Sequence, residues 1–205
     1  VGALAVLPLQ AQESGPLQKV VLDSGLPGPN VLVVAGLHGD EPSGIQAAKR
    51  LAAGPRPRKG VLWILPEANA EAIAAGRRAG VSGDLNRAFP AGNAQTRAIH
   101  AHALEADLVL DLHEAGAAWQ EADVPTLVVS PAAAPFALDL LERLNRRRPA
   151  FTFTGGAPAG SLVGELGAVE RKALVVEVPA RLPARQRLAL HRRVIEGALG
   201  LLGMR

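Results

Sequence analysis

Short runs of β-branched and aliphatic residues alternate along this chain with longer alanine- and leucine-rich stretches of helical period, and that alternation restricts the fold more than any other feature. Strands are expected at Val20 to Leu22, Val31 to Ala35, Val61 to Leu65, Leu108 to Leu112, Thr126 to Val129 and Leu174 to Val178. Helices are expected from Ser43 to Ala53, Ala94 to Glu105, Pro135 to Asn145 and Pro183 to Leu202. The last has an apolar face at Leu188, Val194, Ile195, Leu199 and Leu202, with Arg185, Arg187, Arg192 and Arg193 elsewhere on its surface. Such an order implies an α/β fold, a mostly parallel or mixed twisted sheet with helices on both faces. Gly- and Pro-rich stretches at 25–29, 54–60 and 155–160 read as loops within it, so residues 15–205 are expected to form one domain.

Composition narrows the function classes. Cysteine is absent, so any metal must be held by nitrogen and oxygen. A formal charge of +3 and an aromatic content of 3% argue against a nucleic-acid partner, which would need a basic face or stacking platforms. Arg146-Arg147-Arg148 is the one basic run, and it reads as the solvated end of a helix. No apolar run after the N-terminus reaches the roughly 18 residues of a membrane span. Val1 to Leu9 is apolar and is followed by Gln10-Ala11-Gln12-Glu13, the pattern of a leader cut near Ala11. Residues 1–14 are accordingly expected to be a leader remnant or a flexible N-terminus. Periplasmic or exported placement is favoured over cytoplasmic.

The segment His38-Gly-Asp-Glu41-Pro42 follows the apolar run Val31 to Leu37. It places an imidazole and a carboxylate three residues apart where a strand ends and a helix opens, with Pro at the first helical position. One reading is a loop histidine beside a glutamate that complements the helix dipole. The other is a pair of metal ligands. Catalytic zinc takes three protein ligands and keeps one position open, His2Glu being a recurrent set. Asp111-Leu112-His113-Glu114 supplies a second histidine, again at the end of an apolar run.

Two further segments carry chemistry. In Asp84-Leu-Asn-Arg-Ala-Phe-Pro90, Asn86 and Arg87 offer an amide and a guanidinium fork suited to a substrate carboxylate. In Ala173-Leu-Val-Val-Glu177-Val-Pro179 a lone carboxylate interrupts an apolar strand. An edge strand would let Glu177 face water, whereas a buried strand requires a cation, a polarised water or a raised pKa to accommodate it. His100, His102 and His191 lie on expected helices and read as ordinary surface or half-buried histidines. Glu114 and Glu121 fall in the loop after the third ligand, where they could face the pocket, with solvent exposure the favoured reading. Asp111 is expected to hydrogen bond either behind the site or at the strand end. A serine hydrolase is disfavoured by the lack of a Gly-x-Ser-x-Gly elbow.

Taken in order, these four segments resemble the zinc carboxypeptidase superfamily, most closely its succinylglutamate desuccinylase and aspartoacylase branch, over about Val31 to Pro179. The resemblance implies one Zn2+ per chain on His38, Glu41 and His113, a substrate carboxylate on Asn86 and Arg87, and Glu177 as general base. An arginine before the Asp-Leu-Asn-Arg segment is implied to polarise the scissile carbonyl. Arg78 matches that place better than Arg77, with a spacing one residue longer than the family's. The chain departs from the carboxypeptidases in having no tyrosine, and it is shorter than aspartoacylase-branch chains that carry a further C-terminal domain.

The function expected is a zinc-dependent hydrolase cleaving an amide or peptide bond in a small-molecule or peptide substrate that bears a carboxylate. The missing tyrosine and the short chain favour an N-acyl amino acid deacylase over a metallocarboxypeptidase. A zinc-binding module without turnover is the alternative of another class, which Glu177 and Arg87 argue against.

Overall fold

The computed structural model describes residues 17–116, 123–146 and 150–205. The leader expected at 1–14, Glu121, Arg147 and Arg148 lie outside the described residues. A seven-stranded mixed sheet runs through the molecule in the order β1-β3-β2-β4-β7-β5-β6. Its strands are β1 (Val20–Asp23), β2 (Asn30–Ala35), β3 (Val61–Leu65), β4 (Leu108–Ala115), β5 (Thr126–Val129), β6 (Thr152–Thr154) and β7 (Ala173–Pro179). The central strands β3, β2, β4 and β7 are parallel, while β1 and β5 join them antiparallel. The helices are α1 (Pro42–Ala52), α2 (Ala70–Ala75), α3 (Ala94–Glu105), α4 (Ala134–Asn145), α5 (Leu162–Ala168) and α6 (Ala184–Leu201).

Strand parity decides what each face buries, because successive side chains leave a strand on opposite sides. Val31, Val33 and Ala35 of β2, Leu110 and Leu112 of β4, and Leu174 and Val176 of β7 pack with α1, α4 and α6. Leu32, Val34, Val109 and Val175 take the other face, with α3 and α5. Both faces are therefore covered, and the central strands are continuous apolar runs for that reason.

Several elements differ from the sequence expectation. β4 continues through Ala115, so His113 and Glu114 sit inside the strand rather than after it. The extension is held by β7, whose Glu177 and Val178 pair with His113 and Glu114. α2, α5 and the edge strand β6 were not expected. α2 is short and is started by Asn69, whose side chain accepts from the Ala72 backbone N–H at 3.1 Å.

Candidate metal-dependent active site

The site lies at the carboxyl ends of β2, β4 and β7, with His113 and Glu177 still inside their strands. β2 ends in a turn through Gly36, whose φ of +74° is a left-handed conformation that favours glycine. Gly39 lies so close to the backbone of α2 at Ala72 that a side chain there would collide with it. These two glycines bring His38 down onto the sheet, and Pro42 starts α1 immediately after Glu41.

Three donor groups converge there. Nδ1 of His38 is 2.7 Å from Oε1 of Glu41, and Nδ1 of His113 is 2.9 Å from its Oε2. The two Nδ1 atoms are 3.0 Å apart, and all three side chains are buried. Each imidazole is backed by a carboxylate on its far nitrogen. Oδ1 of Asp84 is 3.2 Å from Nε2 of His38, and Oδ1 of Asp111 is 3.1 Å from Nε2 of His113, the latter without hydrogen-bond alignment. Carboxylates in this position orient metal-binding histidines and leave the near nitrogen free to coordinate. One carboxylate and two Nδ1 donors, all within 4.8 Å of one another, fit an N/O-ligated divalent ion such as zinc.

Electrostatics bind the cluster together. Burial pushes Glu41 up, but His113 and His38 outweigh it and hold the carboxyl well below the usual carboxylate range. Burial pushes His113 down, but Asp111 and Glu41 outweigh it and raise its pKa well above the ordinary imidazole value. Asp84 is pushed up by burial and lowered further by His38 and Arg78.

Glu177 pairs in register with His113 on the adjacent strand, and by parity both side chains leave the sheet on the α3/α5 face. Burial pushes Glu177 up to about 7, with His113 and Arg78 opposing the shift and Glu41 and Asp111 adding to it. A cleft of about 740 Å³ opens over these groups. Arg78, Asn86, Arg87 and Glu177 line it together with Val128 and Val175 of the sheet and the 154–158 loop. Its size is that of a small-molecule binding cleft.

The residues of the Asp84-to-Pro90 segment divide between roles. Asp84 caps a short 3-10 turn by accepting from the Asn86 backbone N–H at 2.9 Å, and it accepts from Nε of Arg78 at 3.0 Å. Asn86 is buried, its Oδ1 accepting from the Leu162 N–H at 3.0 Å while its Nδ2 lies 3.4 Å from Nε2 of His113. Arg87 is exposed at the rim and donates to the Asn86 carbonyl. Arg78 faces the cleft, with NH1 3.8 Å from Glu41. Arg77 is exposed, and its carbonyl accepts from the Gly39 N–H at 3.0 Å.

Three expectations are corrected. Glu114 is not a solvated loop residue: its side chain is 1% exposed and paired with Arg187 of α6. His191 is not a surface or half-buried histidine but is fully buried, and burial pushes its pKa down to about 3, with the neighbouring His113 adding to that fall. Arg187 likewise points inward rather than lying with the outer arginines. A helical stripe at 187, 188, 191, 194, 195 and 198 was present in the sequence, but the polarity of Arg187 and His191 concealed it.

The chain matches the model of the succinylglutamate desuccinylase/aspartoacylase catalytic domain over residues 27–199. It is 35% identical over 152 residues to an N-alpha-acetyl-L-2,4-diaminobutyric acid deacetylase of Halomonas elongata, an alignment covering 69% of this chain and 42% of that protein. The product-bound cell shape determinant Csd4 of Helicobacter pylori superposes with a TM-score of 0.80 at 20% identity, over 93% of this chain and 56% of that one. A succinylglutamate desuccinylase/aspartoacylase structure from Rhodobacter sphaeroides gives 0.71 at 26% identity, over 87% and 56%. The chain thus spans less than half of the curated relative and a little over half of the two structures.

Proposed function

This chain belongs to the succinylglutamate desuccinylase/aspartoacylase catalytic-domain family, and from that premise we propose that it is a zinc-dependent amidohydrolase acting on N-acyl amino acids. The observation that carries this reading is the in-register pairing of His113 with Glu177, which sets a half-buried carboxylate beside three convergent donors at the floor of a cleft. His38, Glu41 and His113 would hold the zinc, which when bound would supply a Lewis acid able to acidify water and polarise a carbonyl. Glu177 takes the proton of the attacking water on its carboxylate and returns it to the leaving amine nitrogen. Arg78, steadied through Nε by Asp84, turns its terminal nitrogens toward the cleft, where they meet the oxyanion as charge develops on it. Arg87 binds the substrate carboxylate at the rim. Asn86 supports that end of the cleft by tying the start of α5 to the His113 ring.

The same groups could cleave the C-terminal peptide bond of a peptide. The deacylase reading is supported by the 35% identity to a protein named as a deacetylase. Zinc-loaded protein assayed against N-acetyl and N-succinyl amino acids and against short peptides separates the two. Turnover of the acyl amino acids is expected. Turnover confined to peptides would transfer the assignment to a carboxypeptidase, and stoichiometric zinc with no turnover of either would make the chain a binding module.

A further inference from the structure

Glu114 follows His113 in β4, so its side chain leaves the sheet on the opposite face, toward α1 and α6. Both of its oxygens are occupied there. Oε1 accepts from the Ser43 backbone N–H at 2.7 Å, and Oε2 accepts from the guanidinium of Arg187 on α6. Its own backbone N–H donates to Oε2 of Glu41 at 2.9 Å.

Ser43 lies in the first turn of α1, a helix whose N-cap, Glu41, makes no side-chain cap and whose first turn has no acidic residue. Glu114 therefore caps α1 from a neighbouring strand, satisfying an N–H at the positive end of the helix with a buried carboxylate. Glu41 is thereby held twice, through its carboxylate by the Glu114 N–H and through the helix it opens by the Glu114 side chain. A carboxylate this buried needs a cation, and among the described residues Arg187 reaches it. One turn further along α6, His191 is fully buried, and neither of its ring nitrogens has a hydrogen-bond partner among the described residues.

We infer that Arg187 is a positioning residue for the hydrolytic centre: through Glu114 it locks the start of α1, and with it Glu41, so that α6 sets the donor geometry from the far side of the sheet. The inference rests on the reading of His38, Glu41 and His113 as the zinc site. Neither Arg187 nor Glu114 takes part in the proton transfers or substrate contacts assigned above.

The test compares the parent chain with Arg187→Met, Arg187→Lys, Glu114→Gln and the Arg187→Met/Glu114→Gln double variant. Zinc affinity by chelator competition, the visible spectrum of the cobalt-substituted protein, kcat and KM are measured on each. Arg187→Met is expected to weaken zinc binding by about ten- to a hundredfold, as loss of a supporting contact does. It should also alter the cobalt spectrum and lower kcat with KM little changed. Arg187→Lys should restore part of each. The double variant should lose little more than either single one, because the two residues act through one contact.

Parent-like affinity, spectrum and kcat in a folded Arg187→Met protein would overturn the inference, as would losses that multiply in the double variant. If Arg187→Met does not fold, Arg187→Lys and Glu114→Gln decide by the same readings. Amide exchange of Ser43 and Glu114 in metal-free protein tests the lock independently of zinc, with exchange at least tenfold faster expected in the variants. If the parent fails to bind zinc, the hydrolase reading falls, while unchanged exchange in the variants would sink the lock itself.

Discussion

Glu177 shows how one half-buried carboxylate can be tuned by its surroundings. Its pKa is raised to about 7, above its value of 4.5 in an unfolded chain, chiefly by burial. A general base works ionised, so kcat/KM should fall as pH drops through this pKa. A dication on the neighbouring donors favours the charged form, so in zinc-loaded protein that limb should lie below pH 7. Glu177→Gln should remove the limb and lower kcat by roughly 10²- to 10⁴-fold while zinc content is kept. Stability supplies a second check. A raised folded pKa contributes stability that is fully present below about pH 4.5 and is lost as pH rises through about 7. Metal-free Glu177→Gln should therefore melt higher than the parent at pH 8, by up to roughly 3 kcal/mol, and the gap should close below pH 4.5. A constant gap across that range would show that Glu177 is not the titrating group. Arg87 differs in being exposed at the rim, its contact running to the Asn86 carbonyl. Arg87→Lys removes a planar fork, and kcat/KM for carboxylate substrates should drop by about ten- to a hundredfold, with much smaller losses for the matching amides. Equal losses would make Arg87 structural.

The strands and helices carry a different set of constraints. β4 and β7 must pair in one register, since a shift of a single residue would send Glu177 to the face where Glu114 now lies. The β2–α1 connection must hug α2, and Gly39 permits this by leaving no Cβ to meet Ala72. Gly39→Ala should force the two segments apart, destabilising the chain by about 1–3 kcal/mol and weakening zinc binding with it. A urea midpoint and zinc affinity equal to the parent's would refute the close approach. Six of the seven strands and the four longer helices were legible because their apolar periods are sustained. α2, α5 and β6 were not. α5 has only 7 residues and is interrupted by Gly164 and Gly167, and β6 has 3 residues beside a Gly-rich loop, so neither shows a period long enough to read. The end of β4 was misplaced because His113 and Glu114 are polar, yet their pairing with β7 keeps them in the sheet.

Across the full fold, one site is assembled from segments about 140 residues apart in sequence, and each contributes a group that the others cannot replace. His113→Ala should abolish tight zinc binding and activity together, because two donors do not make a catalytic site. Zinc should also raise the melting temperature of the parent and leave that of His113→Ala nearly unchanged, since an ion stabilises the state that binds it. Full zinc occupancy in the variant would remove His113 from the donor set. The layered architecture and the candidate ligands were readable from local pattern: alternating apolar runs, a histidine and a glutamate at a strand-to-helix junction, and a charge inside an apolar strand. Those signals arise within a few residues, where backbone period and local chemistry speak directly. The support behind the ligands was not readable in this way. Glu114 meets Arg187, 73 residues away, and Asn86 meets Leu162, 76 residues away. Such contacts depend on strand order, on which face each side chain leaves, and on the angle at which α6 crosses α1. No local period encodes those quantities, so they emerge only when the sheet closes and its two faces are packed.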